Sequence, residues 1–138
     1  MIFMTKNLMT CPIENTLKLI NRKWIIVLIR DMFSGKKYFR EFSEGKDGLS
    51  NTVLSDTLKF MEQNDLIRKN DGEYSLTHKG FRLNRILYEM AVFGLDELEC
   101  GDTQDLEVID MFKDYYAEIL RLNDESSSIE YEKSKFRN

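Results

Sequence analysis

Proline occurs once in 138 residues, as Pro12, and cysteine twice, as Cys11 and Cys100. So little proline leaves few forced helix breaks and favours a helical architecture over a loop-rich one. Two cysteines make no disulfide framework. We therefore expect a cytoplasmic protein with both thiols reduced. The longest apolar run, 24-WIIVLI-29, is six residues. A membrane span needs about 20, so that run reads as core and no membrane partner is expected. The first ten residues, MIFMTKNLMT, contain neither a basic n-region nor a long apolar h-region, so no signal peptide is expected. The single histidine, His78, has no cysteine or second histidine at ligand spacing, which argues against a metal site; it touches a phosphate or nothing. No G-x-S-x-G, P-loop or G-x-G-x-x-G occurs, and no carboxylates are paired for acid–base work. We expect a protein that is not an enzyme and carries no cofactor.

The length suits one domain with a real core. The net charge of −4 is unevenly spread. Residues 1–90 hold 15 Lys and Arg against 11 Asp and Glu, whereas residues 91–138 hold 5 against 13. A mildly basic body thus carries an acidic C-terminal part. DNA binding needs a local basic surface, which the whole-chain charge does not report.

Along the chain, residues 1–10 read as an arm. Pro12 suits the first helical position, which makes Cys11 the N-cap of a helix to about Ile20. A second helix, about 22–33, is apolar on most sides and should be central. The spacing predicts a short helix over about 36–43, with Phe39 and Phe42 inward and Lys36, Lys37 and Arg40 outward. The turn 44-EGKDG-48 follows. Ser50 is the expected N-cap of a helix to about Asn64, with Val53, Leu54, Thr57, Leu58 and Met61 on its inner face. Two extended segments, 66–69 and 73–77, flank Asp71-Gly72, a strong hairpin turn. Thr77 should cap one long helix over about 78–98, and an amphipathic helix is expected over about 103–122. The domain organisation expected is therefore arm 1–10, core domain 11–98, additional helix 99–122 and polar tail 123–138.

The helix that begins at Ser50 is odd in composition. Its first half, 50-SNTVLSDT-57, uses short hydroxyl and amide side chains, which are mediocre helix formers. A short helix, a glycine turn and a second helix make a helix-turn-helix, and a hairpin directly afterwards makes it winged. In that arrangement the second helix lies in the DNA major groove by its N-terminal part. Small polar side chains there let the backbone approach and bond to base edges and phosphates. Taken alone, the same residues would also decorate an ordinary surface helix; the glycine turn and the hairpin favour recognition. The fold class expected is mainly α with a small β-hairpin wing, a dimeric winged helix-turn-helix.

The ordered set 11-CP-12, 23-KW-24, 38-YFREF-42, 48-GLS-50, 54-LSDTLKFMEQNDLI-67 and 74-YSLTHKG-80 resembles the HxlR-type winged-helix transcriptional regulators, relatives of the MarR-like proteins. The resemblance spans about residues 10–97. It implies a homodimeric DNA-binding regulator whose dimer is built mainly from N-terminal and C-terminal helices. Three features depart from it. Asn21 and Arg22 stand where the family usually has two glycines, the wing 68-RKNDGE-73 is short, and the acidic helix after Cys100 lies beyond the usual family end.

The expected DNA-binding set follows. Asn51 and Thr52 are assigned to base edges, with Ser50 and Ser55 on the same face and Lys59 on a phosphate. Asp56 either accepts from a cytosine amino group or faces away. Lys36, Lys37 and Arg40 would neutralise phosphates, and Arg68, Lys69 and Asn70 of the wing would touch the flanking backbone or minor groove. Cys11 is the candidate effector or redox-sensing thiol, because a helix N-terminus favours a thiolate. The resemblance adds that some relatives sense electrophiles or oxidants through this position, so a small electrophile or oxidant is the candidate effector. The other reading of Cys11 is a small apolar residue in a dimer interface; Cys100, near a helix C-terminus, reads as inert. The rival for the whole chain is a winged-helix protein-interaction module without DNA binding, which the acidic C-terminal part motivates.

Overall fold

The computed structural model describes residues 11–98 and 105–125. The arm, Cys100 and most of the tail lie outside them. Ten elements run in the order α1 Pro12–Ile20, α2 Lys23–Phe33, α3 Phe39–Ser43, α4 Asn51–Gln63, β1 Ile67–Asn70, β2 Glu73–Leu76, α5 His78–Phe81, α6 Asn84–Glu97, α7 Leu106–Ile119 and α8 Leu122–Glu125. The architecture is the winged helix-turn-helix expected.

The central helix is α2. Its Ile25, Leu28 and Ile29 are fully buried, against Phe42 of α3 and Leu54, Leu58 and Met61 of α4 in one core. Apolar residues at i, i+3 and i+4 on each helix supply these faces. Burying a side chain of this size contributes about 1.5–3 kcal/mol. The wing strands pair antiparallel, with Arg68 opposite Ser75 and Lys69 opposite Tyr74. Asp71 and Gly72 both take positive φ, 52° and 80°, as the two-residue hairpin turn of Asp-Gly requires. The Tyr74 N–H donates to the Lys37 carbonyl at 2.8 Å, so the loop before α3 ties the wing to the helical body.

Two expected helices are changed by local bonding. The one expected over 36–43 begins only at Phe39, with Tyr38 as N-cap. Glu41 Oε1 accepts from the backbone N–H groups of Lys37 and Tyr38, at 2.8 and 3.0 Å. Those bonds hold Lys37 and Tyr38 ahead of the helix in a capping box. The long helix expected over 78–98 is two. Thr77 caps its first turn as expected, accepting from Gly80 N–H at 3.0 Å. The chain then turns at Arg82 and Leu83, where Leu83 N–H bonds Gly80 O at 3.1 Å. This break lets Phe81 and Leu83 both be buried, which one straight helix would not align.

The additional helix α7 packs back against α6 of the same chain. Buried Asn84 donates from Nδ2 to the Leu120 carbonyl at 2.9 Å, Leu120 is buried, and Lys113 meets Asp96 at 2.7 Å.

Candidate nucleic-acid interface

The second helix of the motif, α4, is fixed at its start by Ser50. Its hydroxyl accepts from Val53 N–H at 3.1 Å, as an N-cap should. At its end Asp65 takes a left-handed φ of 60° and Leu66 N–H bonds Met61 O at 2.9 Å, closing the helix. Leu54, Thr57, Leu58 and Met61 face the core. The Thr57 hydroxyl is satisfied inside the helix, donating to Val53 O at 2.8 Å. The opposite stripe, Thr52, Asp56, Lys59 and Gln63, is exposed, with the i, i+4, i+7, i+11 spacing of one helix face.

Two side chains on α4 differ from expectation. Val53 is not on the inner face; it is 42% exposed, because Leu54 and Thr57 already fill the contact and Val53 falls at the flank of the stripe. Ser55 is half-buried rather than fully presented. Asn51 and Thr52 are exposed in the first turn, as is the capping residue Ser50. Val53 is a surface feature that sequence reasoning missed, since periodicity alone does not fix which flank residue reaches the core.

The expected phosphate ligands are placed differently from one another. Arg40 is exposed on α3. Lys36 and Lys37 sit in the loop before α3 rather than on the helix, because the capping box starts α3 later. Lys36 is half-buried. Lys37 Nζ lies 3.6 Å from Glu73 of the wing, both about half exposed, so an acid shares this surface. On the wing Arg68, Lys69 and Asn70 are exposed, and the Lys69 ammonium lies 5.4 Å from the Tyr74 ring centroid. Hydrogen bonding thus joins the 36–38 loop to the wing.

The acidity of Glu41 is set by its hydrogen bonds. The N–H groups of Lys37 and then Tyr38 hold its carboxyl below the usual carboxylate range, with lesser help from Arg40 and Lys36. Sequence reasoning also missed Asp31 and Lys46, which anchor the turn between α3 and α4. The available signal was the phase of Asp31. It sits with Leu28 and Met32 on the buried side of α2, where a carboxylate needs a cation.

Cys11 is exposed at the N-cap of α1, and its side chain makes no capping bond. His78 is half-buried in the first turn of α5. Among the described residues no helix is long and apolar enough to cross a membrane.

The model of the HxlR-like helix-turn-helix family matches residues 19–101. The chain belongs to that family. It is similar to the HTH-type transcriptional regulator YodB of Bacillus subtilis, 30% identical over 101 residues covering 67% of this chain and 90% of YodB. It is also similar to the HTH-type transcriptional regulator sll1512 of Synechocystis, 29% identical over 96 residues, 64% of this chain and 71% of the relative. The solved structure of the reduced form of YodB superposes with a TM-score of 0.57 at 29% identity, covering 68% of this chain and 100% of that one. The quinone-bound form gives 0.56 at 30% identity, covering 62% and 97%. This HxlR-family protein is a transcriptional regulator of the YodB type, and α7 lies beyond the residues that the family model matches.

Proposed function

We propose that this protein is a cytoplasmic, non-enzymatic regulator that binds duplex DNA sequence-specifically as a homodimer. The observation that carries this reading is the N-terminal turn of α4. It is capped by Ser50, presents Asn51 and Thr52 to solvent and is held to the core by its opposite face. Each subunit would place this turn in the major groove, on half-sites about one helical turn apart. Asn51 and Thr52 read base edges, Ser50 and Ser55 flank them, and Lys59, Lys36, Lys37 and Arg40 take phosphates. Arg68, Lys69 and Asn70 reach the flanking backbone. Exposed Val53 extends the readout to a thymine methyl, the one apolar mark in the groove.

The apolar faces left open support the dimer. Ile13 and Leu17 on α1 and Met90, Phe93 and Leu98 on and just after α6 are all more than half exposed. A monomer rarely leaves this much apolar helix surface in water.

The test is capture of fragmented genomic DNA by purified protein beside an Asn51→Ala/Thr52→Ala variant. A few inverted-repeat sites, lost in the variant at unchanged melting temperature, are expected. Capture that is identical in wild type and variant would overturn the assignment. A protein-interaction module, the rival reading, would show no salt-dependent DNA affinity.

Regulation through Cys11 is a second part of the proposal. Its thiol is exposed and uncapped, and the similar YodB has been crystallised with quinone. Quinone or diamide should change operator affinity in wild type and in Cys100→Ser, but not in Cys11→Ser.

A further inference from the structure

Helix α7 has 14 residues and none of them is buried. Its apolar arc is wider than the strip its own chain covers. Tyr116 and Ile119 meet the core, as does Leu120 just beyond the helix. Met111 and Tyr115, four residues apart on the side away from that contact, are 68% and 53% exposed, and Phe112 flanks them. Beside this strip runs a row of carboxylates. Glu107, Asp110, Asp114 and Glu118 are all exposed, at i, i+3, i+7 and i+11, the spacing of one helix face. Like charges three or four residues apart on a helix repel one another. The one cation of α7, Lys113, is bonded to Asp96 at 2.7 Å. The face is therefore complementary to a segment that is apolar and basic together. It also lies outside the residues 19–101 matched by the family model.

Such a segment follows in the same chain. After α7 the backbone passes through Arg121, whose φ of 55° is the left-handed conformation that turns a chain out of a helix. α8 then runs to Glu125, and residues 126–138 lie outside the described structure. In that stretch every charge after Glu132 is positive: Lys133, Lys135 and Arg137, set around Phe136. Length permits the return. A helix of 14 residues is about 21 Å long, and 13 residues of extended chain span up to about 45 Å. The segment therefore reaches any point of α7 from the end of α8. A second α7 is a poor occupant, because it would set one carboxylate row against another.

We propose that residues 131–138 dock on the outer face of α7 in the same chain. Tyr131 and Phe136 cover Met111 and Tyr115, while Lys133, Lys135 and Arg137 lie along the carboxylate row. Exposed ion pairs are weak one by one, so the apolar cover holds the segment and the charges select it. The contact is separate from the open faces of α1 and α6 assigned to the dimer, and it does not depend on the DNA-binding reading.

The test is zero-length carbodiimide cross-linking of the full chain, which joins an amine to a carboxylate only where the two touch. Unlabelled and nitrogen-15-labelled protein are mixed in equal amounts, unfolded and refolded together, cross-linked, and read by mass spectrometry. Lys133 or Lys135 joined to Asp110, Asp114 or Glu118 is expected, with both peptides of each pair carrying the same label. Phe136→Glu should lower that yield at least fivefold at unchanged melting temperature, because it removes the apolar cover and leaves the lysines in place. The swapped chain Asp110→Lys/Asp114→Lys/Lys133→Glu/Lys135→Glu should cross-link again, with the amines now on α7. No cross-link between the two segments, or full yield in Phe136→Glu, would overturn the proposal. Pairs of mixed label would overturn docking within one chain and give the face to the same segment of a second copy.

Discussion

Asp31 Oδ2 lies 2.5 Å from Lys46 Nζ, and both side chains are almost wholly out of solvent. Lys46 also donates to the Phe42 carbonyl at 2.8 Å, and Arg30 Nη2 reaches Asp31 Oδ1 at 2.9 Å. The end of the central helix α2 is thereby tied to the glycine turn between the two helices of the motif. That tie sets where α4 starts, and so where Asn51 and Thr52 are presented. Removing one partner of such a pair strands a buried charge. Asp31→Ala should destabilise the fold by about 3–5 kcal/mol. The double variant Asp31→Leu/Lys46→Met should recover most of that loss, because no charge is left to desolvate. Urea denaturation of the three proteins measures both effects, and equal stabilities of the single and double variants would contradict the account.

Gly80 is the second point of close packing. A methyl group there would overlap the Leu66 carbonyl. Its own N–H is held by the Thr77 hydroxyl, which donates in turn to the Asp65 carbonyl at 2.5 Å. The end of α4 and the start of α5 are thus pressed together through one residue. Gly80→Ala should destabilise by about 3 kcal/mol through overpacking, read as a lowered thermal midpoint. An unchanged midpoint would show that the wing-to-helix junction yields easily.

Glu41 gives a pH dependence whose sign follows from its bonds. Its carboxyl is held below the ordinary value of 4.5 by N–H groups donated to the charged form. Its contribution to stability is therefore fully present at neutral pH. It is lost as pH falls from the unfolded-state value through the depressed folded value. Carbon NMR of the carboxyl should show the low titration point directly. The denaturation midpoint of Glu41→Gln should vary less steeply with acid than that of wild type. A Glu41 titration at or above the ordinary value would refute the capping account of α3.

Phe93 tests the dimer. It is 59% exposed, with Met90 and Leu98 beside it at 53% and 57%. Wild type should sediment as a dimer. Phe93→Glu should weaken association by at least about thirtyfold, the effect of losing ~2 kcal/mol at an interface centre. Sedimentation of wild type as a monomer at micromolar concentration would place the open apolar faces elsewhere in the protein's work.

Much of this protein was legible along the chain because its signals are local. Pro12 after Cys11, Ser50 before a periodic run and Thr77 before His78 are capping signals that act within one turn, and each element starts where they say. Asp71-Gly72 adopts positive φ wherever it joins two strands, so the wing was equally plain. The alternation of short polar and apolar residues over 50–61 separated the presented face of α4 from its buried face, apart from Val53 and Ser55 at the flanks.

Other features depend on partners far apart in sequence. The sequence determined the identity and order of the elements, since capping, turn geometry and helical period involve residues a few positions apart. Only the assembled fold decided that Lys46 would be buried against Asp31 and that the helix after Thr77 would break so that Phe81 and Leu83 both reach the core. It also decided that Arg121 would arrive beside Lys36 and Lys37. The reason is physical. A charge becomes an anchor only when packing removes water and brings partners from distant segments together.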